Sequence, residues 1–321
     1  MITQIKIFLL NNTMFLIMTI MLIMISVAFL TLLERKFLSF SHYRKGPNKV
    51  SYLGLFQPFS DAMKLLSKEF FYPLKSNYLY FSSAPLIMFL TIMMLWLIYP
   101  FKMNLFNWKL NTLYFFCVLS LTVYGLMISG WSSNSSFSML GSIRSIAQSI
   151  SYEVTFSITL MLCLILINSL NLYILSNAQK YTSFLILMWP SSLIMIISIL
   201  AEINRTPFDL TEGESELVSG FNTEYSSSLF TLIFLSEYAS ILFMSYFFTM
   251  IFLSSNLMNW MFYWNLTNMV YLIIWIRLTC PRIRYDFLMI FCWTYMLPFT
   301  LILFMFLIMF EKMPMNLILM F

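Results

Sequence analysis

The stretch LFTLIFLSEYASILFMSYFFTMIFL, from Leu229 to Leu253, holds a single charged residue, Glu237. A helix of roughly 20 predominantly apolar residues crosses the hydrocarbon core of a bilayer. The run shows none of the alternating polarity of a barrel strand, and in lipid a helix satisfies its own backbone groups. The same reading applies near Thr13 to Leu33, Phe81 to Tyr99, Thr112 to Gly130, Val154 to Leu175, Phe184 to Ala201, Phe262 to Ile276 and Phe287 to Phe310. The chain therefore reads as all-α, a polytopic membrane helix bundle with about eight transmembrane helices, forming a single transmembrane domain over 1–321. Composition agrees: 60% of the residues are hydrophobic, 10% are charged and mean hydropathy is +0.84, which excludes an ordinary water-soluble domain.

Glu237 lies about two turns into its span, roughly 12 Å along the axis at about 1.5 Å per residue. An ionised carboxylate at such depth costs on the order of 3 kcal/mol, so it requires a buried partner, water or a role in proton exchange.

Charge is distributed unevenly. With eight spans, the loops after the first, third, fifth and seventh share a side and carry 13 of the 18 basic residues, from Arg35 and Lys36 to Arg282 and Arg284. The positive-inside rule assigns that side to the cytoplasm or matrix and both termini to the other. Apart from Glu237 and Glu311, the acids lie on or border the same face, in charged loops expected at 34–80, 131–153, 202–228 and 277–286. Between Glu202 and Glu224, six carboxylates (Glu202, Asp209, Glu212, Glu214, Glu216 and Glu224) meet only Arg205, although the whole chain carries net charge +5. Crowded like charges beside a low-dielectric layer raise one another's pKa, which suits groups that bind and release protons. A solvated acidic loop is the plainer reading, and the spacing does not follow a calcium-binding loop.

Several chemistries are excluded. His42 is the sole histidine, so two-His haem ligation and typical zinc or di-iron sites cannot come from this chain alone. Cys117, Cys163, Cys280 and Cys292 form no C-x-x-C pair and read as reduced, structural thiols. No glycine-rich nucleotide loop occurs. Any redox cofactor would belong to a partner.

After the first span, Gly46-Pro47-Asn48 signals a turn. Gln57 to Glu69 then sorts its apolar and charged residues at helical spacing, as in a short amphipathic helix at the membrane surface or against a partner; Asp61 and Lys64 are placed for an i,i+3 pair. Glu153 is expected in the first turn of its span, where the helix dipole favours a carboxylate. Phe 34 and Met 27 against Gly 7 is an unusual balance for packed membrane helices, which favour small residues at their contacts. It points to an AT-rich organellar genome, and Met1 to Asn12 shows no cleavable targeting pattern.

Glu34-Arg35-Lys36, Arg44-Lys45-Gly46-Pro47-Asn48, Gln57-Pro58 with Asp61-Ala62, Ala147-Gln148 with Ser151-Tyr152-Glu153-Val154, the segment from Glu202 to Tyr225, Glu237-Tyr238, and Pro281-Arg282 with Arg284-Tyr285-Asp286 resemble the chain 1 family of NADH-ubiquinone oxidoreductase. These motifs run from the first span to the last in the family's order. The resemblance implies a core membrane subunit of respiratory complex I, in the mitochondrial inner membrane, that takes part in proton translocation but has no redox centre and no catalysis in isolation. Ubiquinone would be the substrate, with NADH, FMN and iron-sulfur clusters on partner subunits. Partners would be the other membrane-arm subunits, the peripheral-arm subunits flanking the quinone site, and lipid, with no nucleic acid. Arg35, Asp61, Phe234 and Arg277 would border the quinone cavity. Glu34, Glu153, Glu202, Asp209, Glu212, Glu214, Glu216 and Glu237 would form an acidic proton path, with Arg144 and Arg205 as counter-charges. The chain departs from the family pattern at His42, Ser51, Ile203 and Ser228-Leu229. A stand-alone proton-coupled transporter is the rival reading, although no internal repeat is evident; a purely structural anchor would leave Glu237 unexplained.

Overall fold

The protein's computed structural model describes residues 2–99, 109–180, 182–210, 213, 220–253 and 259–312; among them there is no strand. In chain order the helices are α1 (Ile2–Ser41), α2 (Gln57–Ser67), α3 (Tyr78–Leu95), α4 (Asn111–Ser132), α5 (Ser136–Ile165), α6 (Leu172–Ala178), α7 (Phe184–Leu187) and α8 (Trp189–Glu202), followed by α9 (Ser227–Phe248), α10 (Trp260–Thr279), α11 (Tyr285–Ile290) and α12 (Leu297–Lys312). A π-helical turn, Thr249–Leu253, extends α9, and another, Phe291–Met296, joins α11 to α12.

Six of these helical stretches are long and apolar enough to cross a membrane: Thr13–Ser41, Tyr78–Ile98, Asn111–Ser132, Ser136–Ile165, Ser227–Leu253 and Tyr285–Lys312. The other two expected spans also form helices, with differences. Around 184–201 the chain breaks at Met188, whose backbone is non-helical, and Pro190 opens α8, a position where the missing N–H has no intrahelical acceptor anyway. The 14 residues of α8 extend about 21 Å, short of the ~30 Å hydrocarbon layer. The 20-residue α10 is less apolar because of its Trp, Tyr and Asn content.

The segment read as a loop at 131–153 is largely helix. α5 runs unbroken from Ser136, so Glu153 sits in mid-helix and the dipole explanation for it fails. Serines made this stretch read as polar, yet Ser142, Ser145, Ser149 and Ser151 each donate to the carbonyl three residues back. A hydroxyl satisfied by its own helix can be buried. The amphipathic helix is present as α2, whose Phe59, Met63 and Leu66 are exposed. Its Asp61 pairs with Arg35 of α1 rather than with Lys64.

α3 packs along α4, α4 along α5 and α5 along α8, while α9 packs against both α3 and α1. Large rings fill the centre. Phe115 and Phe247 stack at 4.1 Å between centroids, with Phe156 and Phe243 at 5.9 and 6.2 Å from Phe247, and Trp96 meets Phe243 at 5.6 Å. Those four phenylalanines are buried and lie toward the ends of α4, α5 and α9 that are remote from the charged loops. Aromatic area thus supplies contact that small residues usually provide.

Glycine governs one close approach. A Cβ on Gly130 of α4 would lie 2.3 Å from Cβ and Oγ of Ser142 and 2.9 Å from the Ser138 carbonyl oxygen of α5. At Gly125 the nearest atom is Met88 Cγ at 2.5 Å, with backbone no nearer than 3.5 Å. We therefore expect Gly130→Ala to force α4 from α5 at a cost of about 1–3 kcal/mol and to lower the thermal-aggregation midpoint in mild detergent. Gly125→Ala, met by a flexible methionine, should lower it less.

Candidate functional site

The ends of α1, α8 and α10 and the middle of α9 bring a string of ionisable side chains into the interior. Arg205 follows α8 and is its centre. Its guanidinium carbon lies 4.6 Å from the centroid of the Tyr238 ring, and its Nη1 donates to Glu34 Oε1 at 3.3 Å. The same Glu34 oxygen accepts from Nη1 of Arg277. Glu34 is almost wholly buried, and its Oε2 has no protein partner among the described residues. One carboxylate therefore faces two guanidinium groups. Removing a charge from water costs several kcal/mol, offset only where paired charges and good geometry replace the solvent.

Burial alone would pull the Arg205 pKa down, but Glu34, Tyr238 and Glu237 together hold it above the usual arginine value. Its positive charge is fixed throughout the neutral range, so changes of charge there must come from other groups.

Two cavities meet at Arg205. The larger, about 80 Å³, lies between α3, α4, α9 and the end of α8; Glu202, Asn204, Arg205, Ser236, Glu237, Ser240 and Thr122 supply its polar lining. A water needs about 10–15 Å³ by this measure and several polar partners, so the space suits a small group of waters. Met88, Leu95, Leu119 and Met244 provide apolar walls. The smaller, about 10 Å³, is lined by Glu34, Arg205 and Arg277 with Leu30 and Ile273, and holds one water at most. Arg205 lines both. Beyond the larger cavity, Glu153 of α5 is near enough to Glu202 for the two carboxylates to interact electrostatically.

The segment after α8 is tied down at several points. Asn204 takes a left-handed conformation at φ 55°. The Ile283 N–H donates to the Pro207 carbonyl at 3.0 Å, and Arg282 Nη2 donates to Asp209 Oδ2 at 2.9 Å. Both contacts join this segment to the linker between α10 and α11. Near its far end Tyr225 stacks on Phe81 at 4.2 Å. Burial pushes the Tyr225 hydroxyl up to about 12, against an opposing hydrogen bond from Ser132, so it stays protonated and donates to the Ser129 carbonyl.

Most of the acids read from the sequence thus converge. Glu34 and Glu237 act on Arg205, Glu202 lines the larger cavity with it, Glu153 interacts electrostatically with Glu202, and Asp209 lies in the same segment, paired with Arg282. Glu212, Glu214 and Glu216 lie outside the described residues. Arg144 is half-buried on α5 and lines neither cavity. The residues read as bordering a quinone divide. Arg277 belongs to the buried network, and Phe234 lies 4.5 Å from the Tyr238 ring. Arg35 and Asp61 form a more exposed pair, with Gln57 donating to Asp61 at 2.8 Å. Sequence reasoning passed over Tyr238 and Arg282 as site residues. Tyr238 adjoins Glu237, and in a sparsely charged chain the Arg282–Arg284 doublet was the available signal for the other.

A helical, multi-pass membrane protein with ionisable side chains joined through its interior is the class that fold and site define. A family model described as NADH dehydrogenase matches residues 14–308, and the chain belongs to that family. It is similar to NADH-ubiquinone oxidoreductase chain 1 of Aedes aegypti, with 49% identity over 279 residues, 87% of this chain and 89% of that protein. The protein of the same name from Locusta migratoria is 49% identical over 282 residues, covering 88% and 90%. That from Papio hamadryas is 44% identical over 301 residues, covering 92% and 95%.

Arg205→Met would leave Glu34 with Arg277 alone and deprive Glu237 of its neighbouring cation. We expect a loss of about 3–5 kcal/mol, as when one partner of a buried pair is removed, measured as a fall in the thermal midpoint of the extracted protein. Arg205→Lys should recover only part, because an ammonium lacks the flat surface that lies on Tyr238.

Proposed function

We propose that the chain is a membrane subunit of NADH:ubiquinone oxidoreductase in the mitochondrial inner membrane, organelle-encoded, and that it links quinone reduction to proton movement through buried acids. The names of its relatives and its family membership support the enzyme. The observation that carries the coupling role is the string Arg277, Glu34, Arg205, Glu237 and Glu202, which passes through two cavities with Arg205 common to both.

In this reading the space near Arg277 is completed by a neighbouring subunit. The roughly 10 Å³ enclosed by Glu34, Arg205 and Arg277 is far below the ~300 Å³ or more of ordinary small-molecule sites, so a quinone head would meet these residues only in a compartment shared with the peripheral arm. An apolar groove of about 400 Å³ between α1 and α10, lined by Phe29, Leu33, Phe37, Phe40 and Tyr271, suits the isoprenoid tail. Arg35, Asp61 and Phe234 would border that approach. NADH, FMN and iron-sulfur clusters would sit on partner subunits, which supply the electrons.

Reduction of a quinone consumes two protons and two electrons, so charge changes beside Arg277. A shift in the partners of Glu34 then alters how strongly Arg205 holds Glu237, and the carboxylates around the larger cavity take up or release protons through its waters. Asp209, Glu212, Glu214 and Glu216 would extend the acidic path toward the pumping subunits, with Arg144 as a further counter-charge. Electrons never enter this chain in that scheme; only charge and position are transmitted.

On a native gel of mildly extracted membranes, the chain should migrate with a large assembly that oxidises NADH; migration alone would favour a free transporter. In the assembled enzyme, Glu237→Gln and the double change Glu212→Gln with Glu214→Gln should leave electron transfer from NADH to ferricyanide intact while quinone-linked proton uptake by inverted membrane vesicles is lost. Normal uptake in all of them would end the proton-path reading.

A further inference from the structure

Gln148 is fully buried in α5, within the bundle and away from either cavity lining. Its Nε2 donates to two carbonyls, Ala201 at 2.8 Å and Phe208 at 2.9 Å, while its Oε1 is buried without a partner among the described residues. An amide nitrogen has two protons, and here each is used on a different end of one chain reversal. Ala201 directly precedes Glu202, and Phe208 directly precedes Asp209. One side chain on α5 therefore holds the residue before each of two acids: Glu202, which lines the larger cavity, and Asp209, which holds Arg282 beyond the segment.

We infer that Gln148 is a positioning residue for coupling, clasping the 201–208 segment so that Glu202 and the Asp209–Arg282 pair move together or not at all. This rests on the proposed role of the buried acids. The argument for positioning rather than bare stability comes from the two carbonyls. Ala201 O also accepts from the Asn204 N–H at 3.2 Å, and Phe208 O from the Leu210 N–H at 3.0 Å. Each carbonyl keeps a backbone donor when the amide is removed, so the large penalty for an unsatisfied buried acceptor does not arise. What is lost is the fixed relation of the segment to α5, where the ring of Tyr152 contacts Phe208 at 5.8 Å. Backbone hydrogen bonds within the segment, such as Phe208 N–H to Arg205 O at 2.8 Å, preserve its shape but do not anchor it to the helix.

The test uses the assembled enzyme with Gln148→Met, which keeps the length of the side chain and removes both donors. NADH-to-ferricyanide transfer should be unchanged per assembled enzyme. Quinone-linked kcat should fall about tenfold with KM for quinone within about twofold, because ångström-scale misplacement of working groups lowers rate rather than binding, and protons moved per NADH oxidised should drop. Gln148→Asn retains the amide but is a methylene shorter, reaches one carbonyl at a time, and should give an intermediate loss; it carries the test if the Met variant does not assemble. A purely structural glutamine would reduce the amount of assembled enzyme but leave its kcat and proton ratio at wild-type values, and that result overturns the inference. Glu202→Gln serves as the control. If it pumps normally, the reading of the acidic cavity fails; if it is defective while both Gln148 variants are normal, only the clasp fails.

Discussion

Arg205 is a permanent positive charge in a place that repels one. Everything nearby is arranged around that constraint. Glu34 comes from α1, the Tyr238 ring and the influence of Glu237 from α9, and the second arginine at Glu34 from α10. The first helix must meet the consecutive helices α9 and α10 around this guanidinium and the carboxylate it shares with Arg277, because a charge left without partners in the interior would cost several kcal/mol. The two cavities exist on either side of this junction, and their polar linings share it. A change in any one partner is felt by the others through an interaction that is weakly screened inside protein.

How far the sequence could be read depends on the range of the interaction involved. Apolar runs are local, and the helices appear where hydropathy places them. Failures occurred where side chains satisfied themselves locally in a way that composition conceals. The serines of α5 bond to their own helix, so a segment that looked like a loop is buried helix and Glu153 moves from a helix start to its middle. At 184–201 the reverse applies: an apolar run that looked continuous is broken at Met188. The amphipathic α2 was legible from spacing, yet the partner of Asp61 was not, since Arg35 is on another helix and Lys64 sat at an equally plausible distance along its own.

The site shows the same division. That Glu237 needed an explanation followed from one residue and one energy. That Arg205 would lie beside it, with Glu34 shared between two arginines, rests on the packing of α1, α9 and α10 and has no local signature. Family resemblance named the acids but could not show that Glu202 and Glu237 face one cavity while Asp209 turns to Arg282. The unusual composition leaves a physical trace too. With few glycines and alanines, the helices approach closely at points such as Gly130 and elsewhere fill the space between them with stacked phenylalanine.

Those stacked rings have an electrical consequence. Phe115, Phe156, Phe243 and Phe247 form a dry layer on the side of the larger cavity remote from the charged loops, whereas the cavity itself can hold water. A transmembrane voltage falls mainly across the poorly polarisable part of its path, and a unit charge moved through about 100 mV changes energy by about 2.3 kcal/mol. In the proposed coupling role, protons that reach Glu202 and Glu237 from the charged face would not cross that layer of rings and would do no work against the share of the voltage that falls across it.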